Sequence, residues 1–310
     1  MEENTYHIPV LYNETLDNLV VNPDGIYIDC TLGGGGHSEG ILQRLSENGR
    51  LISIDQDEQA ITFAKKRLEK YGNKITIVKN NFSNIDIVAY GCGADKVDGI
   101  LMDIGVSSTQ LDEGERGFSY RYDAPLDMRM DKSAKLSAYN VINEYSEEML
   151  SKIIYEYGEE RFARKIAKYI IEIRKEKPIK TTFELADIVK RAAGPNKNKH
   201  PAKKTFQAVR IEVNKELEVL GEAMEKAVNI LKKDGRLAII TFHSLEDRMV
   251  KQKFKQLEKG CVCPADIPVC ICGNKPLVKI ITKKPITAEK KELTENNRAH
   301  SAKLRIVERV

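Results

Sequence analysis

Apolar and polar positions recur along the chain with two periods, and the switches between them mark the elements. Ile26 to Asp29 is an apolar run ending in an acid, and four glycines, Gly33 to Gly36, follow it. Behind the glycines, Ile41, Leu42 and Leu45 recur at helical spacing. This predicts strand, glycine turn, helix. Leu51 to Ile54 predicts the next strand, closed by Asp55, and Asp57 to Tyr71 a helix with Ala60, Ile61, Ala64 and Leu68 on one face. Lys74 to Lys79 predicts a third strand, followed by Asn80-Asn81-Phe82, and Val97 to Asp103 a fourth. Strands and helices alternating at this spacing predict a parallel, doubly wound α/β sheet. Ligands of such sheets lie beyond the carboxyl ends of the strands. Gly33 to Gly36, Asp55, Phe82 and Asp103 all fall on that edge.

After Asp103 the periods change. Ile104 to Asp131 is rich in Gly, Ser and Asp and too long for an ordinary connection. Ser137 to about Arg191 predicts several helices, with Ser146, Thr181 and Thr182 as candidate caps. Ala192 to Lys204 predicts a lysine-bearing loop, and Thr205 to Leu231 one long helix broken by Gly235. Arg236 to Phe242 predicts a buried strand, so the sheet resumes after an insertion. Leu245 to Leu257 predicts a helix, and Leu277 to Thr282 and Ala302 to Val307 two more strands. The expected organisation is a doubly wound domain over 1–110, an inserted helical domain over 111–212, and the rest of the first domain over 213–310.

The glycine segment decides the ligand class. Glycine allows positive φ and close backbone approach, and the helix behind it offers unpaired N–H groups. The pattern Asp29-x-x-x-Gly33-x-Gly35 departs from the dinucleotide fingerprint, because Glu39 stands where its last glycine belongs. Asp55, one βα unit later, is placed to take ribose hydroxyls. Asp29 before the glycines suits a ligand with a cationic amino group rather than a pyrophosphate. S-adenosylmethionine, with its ammonium, sulfonium and ribose, fits two flanking carboxylates better than NAD does.

Bulk composition narrows the rest. The chain has 310 residues, 41% hydrophobic and 31% charged, a globular balance. Its net charge of +4 carries no argument for nucleic acid by itself, so that argument needs patches. MEENTYHIPV has no apolar core of a signal peptide, and no apolar run reaches the ~20 residues of a membrane span. With unpaired-looking Cys30 and Cys92 among the six cysteines, the expectation is a cytoplasmic protein in a reducing compartment. Cys261, Cys263, Cys270 and Cys272 form C-x-C…C-x-C, a set that could hold zinc although its spacing is not the usual knuckle. The leading expectation is no metal.

The motifs resemble those of the bacterial 16S ribosomal RNA cytosine-N4 methyltransferases nearly end to end. The likeness covers His7-x-Pro9-Val10-Leu11, Asp29-x-Thr31, Gly35-Gly36-His37-Ser38 and Asp103-Ile104-Gly105-Val106-Ser107-Ser108-x-Gln110-Leu111-Asp112. It continues through Gly117-Phe118-Ser119, Asp127-Met128-Arg129-Met130, Gly158-Glu159, His200-Pro201-Ala202, Thr205-Phe206-Gln207-Ala208 and Asn214-x-Glu216-Leu217. Phe242-His243-Ser244-Leu245-Glu246-Asp247-Arg248 and Arg298-x-x-Ser301-Ala302-Lys303-Leu304-Arg305 complete it. One departure is His300, where the family usually carries arginine.

The resemblance implies a class I S-adenosylmethionine-dependent methyltransferase fold, Rossmann-like, with a helical insertion. It implies S-adenosylmethionine as donor and the N4 amine of a decoding-region cytosine as target. The implied partner is 16S ribosomal RNA or the small subunit, with the protein a monomer or homodimer. It carries the cofactor contacts to Gly35, Gly36, His37, Asp55, Phe82, Asp103 and Gln110. Lys199, Lys203, Lys204, Arg298, Lys303 and Arg305 are candidate phosphate contacts. Tyr120 to Tyr122, with Gly117-Phe118, offer either stacking for a flipped base or core packing.

Cytosine N4 is a poor nucleophile, so a hydrogen-bond acceptor on its N–H is wanted. The Asp/Asn-Pro-Pro-aromatic motif of many amino methyltransferases is missing after the fourth strand. Asp103, or the backbone carbonyls just after it, is the candidate acceptor facing both cofactor and N4, with the plain alternative that Asp103 only holds the cofactor. His243 and Ser244 line either the base pocket or a helix cap, Ser244 pairing with Asp247. Two other functions stay open: a non-catalytic RNA-binding assembly factor, and an amino methyltransferase acting on another substrate.

Overall fold

The computed structural model describes residues 9–105, 114–194, 200–261, 263, 269 and 271–310. Gln110, Lys199 and Cys270 lie outside the described residues. The chain forms two compact units, Met1–Gly105 with Glu218–Val310, and Val106–Leu217.

The first unit is built on a seven-stranded sheet of order β3-β2-β1-β4-β5-β7-β6. Its strands are β1 (Ile26–Asp29), β2 (Arg50–Asp55), β3 (Ile75–Lys79), β4 (Val97–Asp103), β5 (Leu231–Thr241), β6 (Val278–Ile280) and β7 (Lys303–Arg309). The first five are parallel, and β7 runs antiparallel to both β5 and β6. The helices are α1 (Tyr12–Leu19), α2 (Gly36–Arg44), α3 (Glu58–Leu68) and α4 (Ile85–Gly91) before the insertion.

Strand residues alternate between two buried cores, as the period of two demands. Ile28, Ile52, Ile100, Leu237 and Ile239 face one side with Val88 and Phe254. Tyr27, Leu51, Leu101, Ala238 and Ile240 face the other with Leu16, Ile41 and Ile61. A parallel sheet covered on both faces reads as nearly continuous apolar runs. The strand order reverses between β1 and β4, and the crevice beyond their carboxyl ends is the ligand position of such sheets.

The second unit is helical: α5 (Ala138–Glu144), α6 (Glu147–Glu156), α7 (Ala163–Glu176), α8 (Thr182–Ala193) and α9 (Lys203–Asn214). Their apolar faces form one core that includes Ile142, Leu150, Ile166, Val189 and Phe206. Ser146 and Thr181 are N-caps, the latter in a reciprocal box with Glu184, whereas Thr182 is the first helical residue. Asp127 holds Arg129 through both carboxylate oxygens, at 2.9 and 2.7 Å. Asn214 accepts from Met130 N and donates to the Met128 carbonyl, both at 2.8 Å.

The expected long helix from Thr205 to Leu231 is two helices. α9 stops at Lys215, whose φ of 50° is left-handed, and α10 (Glu216–Ile230) starts directly after it. No glycine or proline marks the break, and a lysine in that conformation costs about 1–2 kcal/mol. Arg210, bidentate to Glu216 at 2.8 Å for both bonds, fixes the bend. Gly235 does not end the helix either. α10 ends at Ile230, and residues 232–235 bulge between the paired positions Val97↔Leu231 and Gly99↔Arg236.

After β5 comes α11 (Ser244–Lys259), whose cap also differs from expectation. His243 is the N-cap and Glu246, not Asp247, closes the box. Ser244 and Asp247 were the wrong pair because the backbone enters the helix one residue earlier. α12 (Lys290–Glu295) precedes β7.

Candidate functional site

Asp29 ends β1 fully buried. Its carboxylate accepts from Ser38 Oγ at 2.7 Å and from Thr31 N at 3.1 Å, and Ser38 Oγ lies 2.8 Å from Ser53 Oγ. Burial raises its pKa, and the Ser38 hydroxyl opposes that rise. Asp29 therefore ties β1 to α2 and β2 inside the protein. With no exposed surface, Asp29 is placed to hold the glycine loop rather than to meet a ligand's amino group directly.

The glycine loop then brings the chain across the crevice. Gly35, with φ 78°, is the left-handed residue that starts α2. A Cβ on Gly36 would lie 2.3 Å from Pro9 Cγ, so only glycine lets the N-terminal segment cross there. That crossing places the Val10 carbonyl 3.2 Å from His37 Nε2.

His37, on the first turn of α2, is buried. Its Nδ1 lies 3.5 Å from Asp103 Oδ2 at the end of β4. Burial works against an imidazolium there, but the Asp103 carboxylate, Asp29 and the Val10 carbonyl outweigh it and raise the pKa. Asp103 N donates to Thr31 Oγ1 at 2.8 Å, which locks the end of β4 to the chain leaving β1. The other carboxylate oxygen, Asp103 Oδ1, is buried with no hydrogen-bond partner among the described residues. A buried acceptor left open costs about 1–3 kcal/mol, so this atom can take a further donor.

Asp55 ends β2 on the same edge. Its two oxygens accept from Gly33 N at 2.8 Å and Asp57 N at 2.9 Å. Each oxygen keeps a lone pair for a further donor. Burial, and then the Asp57 and Asp29 carboxylates, push Asp55 up to about 6. Phe82 follows β3 on a short turn whose cap is Asn81, and Asn81 Nδ2 donates to Gln56 Oε1 at 3.1 Å.

Gly35, Gly36, His37, Asp55, Phe82 and Asp103 thus share the carboxyl edge of β1, β2, β3 and β4. Two carboxylates there disfavour a pyrophosphate and favour a ligand with N–H and hydroxyl donors. The Asp55 lone pairs fit the ribose hydroxyls of S-adenosylmethionine, and the open Asp103 oxygen fits a further N–H donor. Thr31, Ser38 and the Val10 carbonyl were not singled out from sequence as site groups. Only the motif His7-x-Pro9-Val10-Leu11 hinted at the last.

The other candidates divide. Lys203 is exposed at the start of α9. Lys204 donates to the Glu159 carbonyl at 2.6 Å. Lys303 and Arg305 both turn to Asp247, at 3.0 and 2.7 Å, and Arg305 is buried. These contacts join α11 to β7 and remove Arg305 from the surface. Arg298 sits on a turn before β7. Tyr120 stacks on the exposed His200 with centroids 4.2 Å apart and meets Phe206 edge-on, and Phe118 is buried, so Phe118 and Tyr120 pack on the helical core, whereas Tyr122 is exposed. Phe242 and His243 N–H both donate to Glu246, at 2.8 and 3.2 Å, so His243 serves the helix start.

Comparison with known proteins gives this arrangement a family. The model of the MraW methylase family matches residues 4–310. The chain belongs to the MraW methylase family. The ribosomal RNA small subunit methyltransferase H of Fusobacterium nucleatum is 68% identical over 307 residues, covering 99% of this chain and 98% of that protein. The protein of the same name from Clostridium botulinum (strain Kyoto) is 60% identical, covering 98% and 99%. Among solved structures, an rRNA methylase from Streptococcus thermophilus is 12% identical with a TM-score of 0.44, covering 96% of this chain and 93% of that one. The MraW family, with the sheet order above, makes this a class I methyltransferase fold. Among the described residues no helix is long and apolar enough to cross a membrane.

Proposed function

We propose that this protein methylates the N4 amine of a cytosine in the decoding region of 16S ribosomal RNA, with S-adenosylmethionine as donor. The coarser statement, S-adenosylmethionine-dependent methylation of small-subunit ribosomal RNA, follows the family and two relatives that match almost end to end. The observation that carries the reading is the open, buried Asp103 Oδ1 at the β1–β4 switch.

When bound, the donor supplies an electrophilic methyl on a sulfonium. The protein's part is to position and to accept a proton. Asp55 orients the ribose through its two remaining lone pairs. Phe82 and the backbone from Gly35 to His37 bound the pocket, with Gln110 as a further contact carried by the resemblance. His37 holds Asp103 from one side, so that Oδ1 faces the crevice. We assign that oxygen to the N–H of the target amine, which localises the nitrogen lone pair and gives the departing proton a place to go. A substrate of this kind places the protein in the cytoplasm.

The test is mass spectrometry of nucleosides from small-subunit RNA incubated with the protein and labelled S-adenosylmethionine. The expected product is N4-methylcytidine. Label in another nucleoside would remove the target assignment and leave fold and donor standing. No label on either naked RNA or assembled subunits would favour a binding factor.

Lys203 is the phosphate contact best supported by its exposure. Lys203→Ala is expected to reduce the slope of log affinity against log salt by about 0.7–0.9. Filter binding across a salt series reads it, and an unchanged slope would remove Lys203 from the RNA surface. Lys204→Ala is a poorer probe, since it also breaks the bond to the Glu159 carbonyl.

A further inference from the structure

The segment after α11 has a cluster that methyl transfer does not use. Its two ends touch at the base. Gly260, with φ 67°, packs so closely that a Cβ would lie 2.3 Å from the Lys275 carbonyl carbon. Leu277 N donates to the Leu257 carbonyl at 2.9 Å. Between these ties, none of the described residues from 261 to 277 lies in a helix or strand. Val269 and Ile271 are 71% and 77% exposed, so they bury no core that would hold the segment.

Cys261 and Cys263 stand on the outgoing limb and Cys272 on the returning one. Their three Sγ atoms all lie within 4.8 Å of one another, and Cys272 Sγ is 3.9 Å from Cys261 Sγ. That separation is nearly twice a disulfide bond, which is about 2.05 Å. It is close to the sulfur–sulfur edge of a tetrahedral zinc site: bonds of about 2.3 Å give an edge of about 3.8 Å. All three cysteines are half-buried. The group contains only sulfur donors, and soft thiolates select zinc over magnesium or calcium.

We propose that Cys261, Cys263 and Cys272 bind a structural Zn²⁺ that staples the two limbs of this segment. Binding converts three thiols to thiolates, forms three Zn–S bonds and releases three protons, with no change in oxidation state. The complex carries one net negative charge from these four partners, and Lys259 and Lys275 flank it in the chain. The staple takes the place of an apolar core, which Val269 and Ile271 among the described residues do not supply. This site is independent of the methyl-transfer reading.

The experiment uses the untagged full-length chain expressed with zinc and passed over a chelating resin. Elemental analysis is expected to give about one zinc per chain. Exchange with Co²⁺ should produce the visible absorption of a tetrahedral thiolate site. Cys261→Ser and Cys272→Ser should each weaken metal binding by at least about 100-fold, with far-UV circular dichroism unchanged. Cys92→Ser, at the end of α4, should leave it intact. In the wild type, chelation should speed proteolysis within 261–277 without touching the rest. Zinc well below stoichiometry together with no cobalt absorption would overturn the site. So would a native mass two hydrogens low with these thiols unreactive, since that marks a disulfide.

Discussion

Asp103→Asn is expected to cut the rate of methyl transfer by about 10²–10⁴ while changing the affinity for S-adenosylhomocysteine by no more than about threefold. The substitution keeps the size of the side chain and one carbonyl oxygen, but removes the charge that receives a proton. Single-turnover methylation reads the rate and calorimetry with S-adenosylhomocysteine reads the affinity. A parallel collapse of both would mean that Asp103 holds the cofactor's ammonium, and the acceptor role would be lost. A separate readout follows from His37. Its pKa is raised by Asp103 against an opposing burial, so the asparagine variant should show a lowered His37 pKa by NMR. In the sign of linkage, His37 stabilises the fold at low pH and loses that contribution as pH rises through its elevated folded value. Loss of Asp103 should shrink this contribution.

The sheet was legible because its strands obey a period of two and its edge residues are acids and glycines. Ile28, Ile52 and Ile100 fill one core and Tyr27, Leu51 and Leu101 the other, so the alternation is visible as continuous apolar runs. The convergence of Asp55, Phe82 and Asp103 on one edge follows from the same count. What a given side chain bonds to was not legible. Asp29 reads like Asp55, an acid ending a strand, but Ser38 and Ser53 lie over it and make it internal. Arg305 reads like a phosphate contact, but Asp247 from another element holds it. Lys215 reads as mid-helix, since its left-handed turn is imposed by Arg210 and Glu216 and carries no glycine.

Many of the motif residues are structural for a common reason. The site needs the ends of separate strands held to within a fraction of an ångström. The Asp103 N–H bond to Thr31 joins β4 to the chain after β1, and the Val10 carbonyl fixes His37 from the other side. Leu11 N donates to Glu292 Oε1 at 2.8 Å, so the N-terminal segment is anchored by the last helix before β7. Groups hundreds of residues apart in sequence thus set the direction of one carboxylate. Sequence motifs record that they matter without revealing which are touched by ligand.

The second large effect concerns Asp55 and is a pH dependence. Its pKa is 3.8 in an ordinary setting and about 6 in the fold. Between those values the folded protein binds more protons than the unfolded chain. The group's stability contribution is therefore full at low pH and is lost as pH rises through about 6. Ribose hydroxyls donating to the carboxylate favour its charged form and reverse that shift, so binding releases a proton. Affinity for S-adenosylhomocysteine should rise with pH to about 6 and then level, falling about tenfold by about pH 5. The neighbouring carboxylates Asp57 and Asp29 push Asp55 the same way, and His37 titrates in the same crevice, so a variant must separate them. Asp55→Asn keeps an acceptor but no charge. It should weaken binding at about pH 7.5 by about 10–100-fold, the loss of charged hydrogen bonds, and flatten the acid limb. Calorimetry in buffers of different ionisation enthalpy would count the released proton directly. A wild-type affinity that stays constant from about pH 5 to 7.5 would mean that the ionised Asp55 carboxylate does not face the ligand.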